Sequence, residues 1–194
     1  MFQASDFKLT QVRPSLVPQL TGSAANQLMA VLAGIALLTA SAHIKIPFYP
    51  VPLTMQTLIV LGIGMTYGVR LGGATLLGYL ATGFVGVPVF ANGAGMAYMI
   101  GPTGGYLLGF LVAALFLGVL AERGWTRNWA TAAIAMFLGN IIIYLPGVGW
   151  LMTFDEYRDA ALQIGFTNFL IGDALKLIIA ALGVPYLWSK LKQK

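Results

Sequence analysis

The sequence predicts an all-α integral membrane protein, one domain of six transmembrane helices around a pocket that opens outward. Composition is the first observation. Hydrophobic residues make up 58% of the 194 and charged residues only 9%, where a soluble domain carries about 25% charged residues. Mean hydropathy is +0.82. The second observation is six apolar segments, each near the roughly 20 residues a spanning helix needs. They run over 25–42, 53–68, 70–87, 103–121, 130–147 and 165–188. The third is a set of irregular apolar connections that this topology places on one side of the membrane.

Residues 1–24 are expected to form a cytoplasmic tail. They hold Asp6, Lys8, Arg13, Pro14 and Pro18, lack the apolar core of a secretory signal, and leave room for a short interfacial helix around residues 16–20. The first span follows at 25–42. The second and third are joined only by Tyr67-Gly68-Val69-Arg70, a spacing that fits a tight helical hairpin. The transmembrane domain covers 25–189, and 190–194 form a basic cytoplasmic tail. Lys8, Arg13, Arg70, Arg123, Arg127, Lys190, Lys192 and Lys194 then fall on one side, Lys45 and Arg158 on the other, with Lys176 inside the bilayer. The positive-inside rule places both termini in the cytoplasm of a multi-pass plasma-membrane protein.

The outward connections are unusual. His43-Ile-Lys-Ile-Pro-Phe-Tyr-Pro-Val-Pro52 packs its prolines too densely to be helical throughout. Residues 86–105 are apolar yet rich in glycine and proline, and 147–165 carry Asp155, Glu156, Arg158 and Asp159, which suits a solvated turn or short helix. Irregular backbone at membrane depth is tolerated only where protein buries it or it lines a cavity. Two such apolar connections on one face point to a capped pocket.

Asp173 and Lys176 lie within the apolar run 165–183. An ionised group at that depth costs about 2.5–3.5 kcal/mol on the lenient insertion scale. Three apart on a helix, the two side chains share a face, so they neutralise each other or jointly face a polar ligand. Gln56 and Thr54, at the mouth of the second span, can bind a ligand or satisfy backbone freed by the prolines. Asn92 and Tyr106 flank the glycine-rich connection, and Asn140 reads as a polar link between helices. In the first span, Ala30/Gly34 and Ala36/Ala40 are small-xxx-small pairs. These allow close helix packing, either within the molecule or against a partner membrane protein.

Other functions lose support. The chain has no cysteine and a single histidine, His43, so thiolate and histidine metal cages are not expected, nor any cofactor. The net charge of +5 is spread along the chain rather than clustered, which argues against nucleic acid. There is no phosphate loop for ATP, no His-Glu-x-x-His helix and no Gly-x-Ser-x-Gly elbow. Gly101-Pro-Thr-Gly-Gly105 lacks the lysine and preceding strand of a phosphate cradle.

Three motifs taken together, Ile46-Pro-Phe-Tyr-Pro-Val-Pro-Leu-Thr-Met-Gln-Thr57, Gly101-Pro-Thr-Gly-Gly-Tyr-Leu-Leu-Gly-Phe110 and Gly172-Asp-Ala-Leu-Lys176, resemble the BioY family. These are the biotin-binding S components of energy-coupling factor (ECF) transporters. The resemblance runs from about residue 25 to the end and implies an S-component-like fold of six helices around an outward pocket. It also implies no enzymatic chemistry: biotin is captured outside and delivered with a coupling transmembrane protein and two ATPase subunits. Carried onto this sequence, the family pattern makes Asp173 an acceptor for the ureido N–H groups and puts Lys176 on a ligand oxygen. Asn92, Tyr106 and Gln56 join the pocket, with apolar cover from the Pro-Phe-Tyr loop and the 96–98 region. The small-residue stripe of Ala30, Gly34, Ala36 and Ala40 resembles the docking motif of S components. Where the pattern leads one to expect a basic loop, this chain has no arginine or lysine between Val87 and Tyr106. Loop amides, Asn92 or Lys176 are then left to hold the ligand's anion. Work without a dedicated module, as a solitary chain or homo-oligomer in membrane lipid, stays open. So do an S component for riboflavin or thiamin, an intramembrane enzyme using Asp173 as base, and a purely structural Asp173–Lys176 clamp.

Overall fold

A computed structural model describes residues 23–191. The expected interfacial helix near 16–20, the rest of the N-terminal tail and residues 192–194 lie outside the described residues. Helix α1 (Ala24–His43) starts where the Ser23 hydroxyl caps the Asn26 amide, satisfying a backbone donor that the helix itself cannot. A two-residue antiparallel ribbon follows, β1 (Lys45–Ile46) with β2 (Leu53–Thr54), in the register Lys45↔Thr54. The proline-rich stretch between them does stay out of helix. The ribbon also delays the second span, whose helix begins at Gln56 rather than near 53.

Helix α2 (Gln56–Phe84) reads as one element but is broken at Gly68, with φ 73° and ψ −176°. Only glycine enters that region readily. A straight helix would separate residues 56 and 79 by about 35 Å at 1.5 Å per residue. Instead the Gln56 amide donates to the Tyr79 hydroxyl at 2.8 Å. A Cβ built on Gly72 would lie 3.9 Å from the Gly64 Cα. The two arms, 56–67 and 69–84, therefore run back along each other as the expected hairpin. Among the described residues five helices are long and apolar enough to cross a membrane, and folding of the second gives a bundle of six rods.

Helix α3 (Gly95–Met99) is short. Helices α4 (Gly104–Glu122) and α5 (Trp129–Leu151) follow, and then α6 (Ala161–Gly165) and α7 (Leu170–Leu191). Two further boundaries differ from the sequence reading. Helix α5 passes through Pro146 to Leu151, beyond the expected stop at 147. The last long helix starts at Leu170, because α6 and a 3₁₀ turn over Thr167–Phe169 occupy its first residues. The solvated 147–165 connection is accordingly the end of α5, a 3₁₀ turn (Arg158–Ala160) and α6.

The bundle buries Leu38, Leu61, Leu76, Tyr79, Leu117, Met136 and Ile143, and turns Leu32, Leu77, Leu108, Phe137, Ile171 and Ile178 outward. An apolar exterior is what a bilayer solvates. A close crossing joins α4 to α5: a Cβ at Gly105 would fall 2.3 Å from the Pro146 carbonyl oxygen. At one end of the bundle the Val69 amide donates to Glu122 at 2.9 Å, joining the hairpin tip to the end of α4. The ribbon, α3 and the irregular connections gather at the opposite end. Each arm of α2 is shorter than a full span.

Candidate functional site

A cavity opens at the ribbon end, with an empty volume of about 500 Å³ including the solvent at its mouth. Its walls come from the ribbon, the 86–103 connection, the 3₁₀ turn before α7, and from α2, α4, α5 and α7, among them Val51, Leu53, Gln56, Thr57, Leu107, Phe110, Ile143 and Phe169. The lining is mostly apolar with a few convergent polar groups, the usual make-up of a small-molecule site.

Asp173 and Lys176 stand at its polar side, each 5% exposed. Lys176 Nζ lies 2.6 Å from Asp173 Oδ1 and also donates to the Thr54 carbonyl oxygen at 2.6 Å and the Thr57 hydroxyl at 3.1 Å. Its three donors are thus all used. Asp173 accepts from Thr57 at 3.3 Å on the same oxygen, and the Tyr144 hydroxyl donates to Oδ2. A carboxylate offers about four acceptor sites, so Asp173 keeps room for a further donor. The pair is internally neutralised and also lines the cavity.

Two of these partners escaped the sequence reading. Thr57 is only the last residue of a motif in the sequence, which marks no role for it. Tyr144 follows Ile141, Ile142 and Ile143 in an apolar run, and a phenol in such a segment needs a hydrogen-bond partner, which is the signal in the sequence that points to it. Its ring is held edge-on to Tyr106 (centroids 6.4 Å apart) and Phe166 (5.0 Å) and stacked on Phe169 (6.5 Å).

The other expected site residues separate. Gln56 lines the cavity, with its amide on Tyr79 and its carbonyl oxygen accepting from Thr54 at 3.3 Å. Tyr106 lines it with its ring, because its hydroxyl donates to the Gly165 carbonyl at 2.7 Å. Asn92 is exposed and outside the lining, where its Oδ1 accepts from Lys45. Of the 96–98 region, Tyr98 lines the cavity and Met96 points away, 56% exposed. Phe48 and Tyr49 likewise miss the lining. They tie the proline loop down by stacking on Phe169 (6.2 Å) and by a 2.9 Å hydroxyl contact with Tyr157. That shared hydrogen bond raises the Tyr157 pKa above the usual phenol value. Asn140 is buried with an unpartnered Oδ1, so no link to another helix runs through that oxygen. The small-residue stripe splits. Ala30 and Gly34 are buried, and a Cβ at Gly34 would lie 2.6 Å from the Thr75 methyl, whereas Ala36 and Ala40 are exposed.

The model of the BioY family matches residues 11–193. The chain belongs to the BioY family. A biotin transporter BioY of Thermotoga maritima is 39% identical over 155 residues, covering 78% of this chain and 90% of that protein. A probable biotin transporter BioY of Rickettsia prowazekii is 33% identical over 165 residues, 84% of each chain. Among solved structures, the crystal structure of the S-component for biotin from an ECF-type ABC transporter superposes with a TM-score of 0.75. That match has 26% identity and covers 84% of this chain and 90% of the other.

Proposed function

We propose that the chain is the biotin-binding membrane subunit of an ECF-type uptake system, a transporter component and not an enzyme. The observation that carries this reading is the Asp173–Lys176–Tyr144–Thr57 network lining a cavity of apolar walls. Biotin offers matching chemistry: a ureido group with two N–H donors and a carbonyl, an apolar thioether ring, and an anionic tail. Asp173 accepts from the ureido N–H groups, and Lys176 meets the ureido oxygen by exchanging one of its protein acceptors for it. Phe110, Leu107, Ile143 and the Tyr106 ring flank the bicycle. Gln56 supports the wall through Tyr79.

The ribbon end faces outward and both termini face the cytoplasm, in line with the distribution of lysine and arginine. No step is covalent. Biotin captured outside is released inside when a coupling transmembrane protein and two ATPase subunits reorient the chain, and this chain carries no phosphate loop of its own. Ala36 and Ala40, the exposed half of the small-residue stripe, are the docking contact for the coupling protein. The test is labelled-biotin uptake by cells that lack their own transporter and express this chain with and without a coupling module. ATP-dependent accumulation of biotin, unaffected by riboflavin or thiamin, is expected. Accumulation of another vitamin in its place would overturn the assignment.

A further inference from the structure

The Asp173–Lys176 network accounts for one end of a biotin-like ligand and leaves the anionic end without a partner. No basic residue occurs between Val87 and Tyr106, so the glycine-rich connection offers none. The Lys176 donors are all used within its own network. At the rim, however, Lys45 reaches from the ribbon across to this connection. Its Nζ donates to the Ala91 carbonyl and to Asn92 Oδ1.

Three facts make this ammonium different from the other cations at that end. Arg158 is paired with Asp155 at 2.7 Å and Lys176 with Asp173 at 2.6 Å. Lys45 is held by two neutral acceptors and joins no ion pair among the described residues. Its backbone pairs with Thr54 and its ammonium with Ala91, both of which line the cavity. Two neutral oxygens occupy two of the three ammonium donors. A half-buried cation with one donor open and no counter-charge attracts an anion more strongly than it does water, because charge-assisted hydrogen bonds are about twice as strong as neutral ones.

We infer that Lys45, steadied by Ala91 and Asn92, reads the carboxylate of the ligand at the mouth and makes the site selective for an anionic tail. Asn92 then acts through Lys45, which explains an expected pocket residue that stands outside the lining. The inference rests on the biotin reading above.

The test compares biotin with its uncharged methyl ester on the purified full chain, measured by displacement of labelled biotin. Wild type is expected to prefer biotin at least tenfold. In Lys45→Gln the preference should fall towards unity while ester affinity stays within about threefold, and Lys45→Arg should restore most of the preference. An unchanged ratio in Lys45→Gln would overturn the proposal. So would an equal loss for both ligands, which is the signature of a strap that only holds the mouth closed. Should Lys45→Gln bind neither ligand, the Lys45→Arg ratio decides: a retained preference supports the inference, a lost one overturns it. Failure of wild type to bind biotin overturns the biotin reading itself and this inference with it, an outcome distinct from all the others.

Discussion

Replacing Asp173 separates the two jobs a buried acid–base pair can do. Its carboxylate is 2.6 Å from the Lys176 ammonium, and both residues are 5% exposed. At an effective dielectric constant of 20, Coulomb's law at that separation gives an attraction of about 6 kcal/mol before desolvation is charged against it. Asp173→Asn leaves the ammonium buried without its counter-charge, a loss on the order of 3–5 kcal/mol. The double variant Asp173→Leu/Lys176→Met removes both charges, and apolar replacement of whole buried pairs ranges from neutral to stabilising by about 1–4 kcal/mol. Thermal unfolding in detergent, paired with biotin calorimetry, reads both effects. We expect the single variant to melt well below wild type, the double variant to recover most of that loss, and neither to bind biotin at wild-type affinity. A double variant that still binds biotin like wild type would refute the role of the pair in ligand recognition. One that melts as low as Asp173→Asn would refute the electrostatic account.

Other predictions address the scaffold and the partners. Gly68→Ala forces a side chain into a backbone region that only glycine enters readily, and should cost about 1–3 kcal/mol in thermal unfolding. An unchanged melting temperature would mean that the hairpin tip adopts another conformation. Tyr144→Phe removes a hydrogen bond to a charged acceptor and should destabilise the ligand-free protein by about 1.5–3 kcal/mol. Biotin should recover part of that loss, because a ureido N–H can take the vacated oxygen, and an identical deficit with and without biotin would count against direct contact. Ala36→Leu/Ala40→Leu should leave biotin binding intact and abolish module-dependent uptake. Gly34→Leu, by contrast, should lower the melting temperature, since its side chain meets Thr75 and Tyr67. Uptake unaffected by Ala36→Leu/Ala40→Leu would move the docking face elsewhere.

Much of the architecture is legible because a bilayer imposes coarse constraints. The spans announce themselves by apolar length, and the hairpin by how little separates 53–68 from 70–87. Asp173 and Lys176 stand out because charge at membrane depth needs a reason. Three things were not legible, each for a physical cause. Tyr144 hides a polar hydroxyl on an aromatic ring, and its partner Asp173 lies 29 residues away in sequence. Which half of the first span's small-residue stripe is free depends on how α1 is rotated against α2, and that is decided by Gly34 nesting on Thr75. The Lys45–Asn92 contact joins residues 47 apart, across a ribbon too short to leave a strand pattern.

Calorimetry of biotin on the purified chain tests the central claim most directly, with riboflavin and thiamin as controls. The account predicts one biotin site per chain with a Kd below about 1 μM, which corresponds to about −8 kcal/mol, and no heat from either control. Absence of biotin binding at that level, or tighter binding of either control, would contradict it.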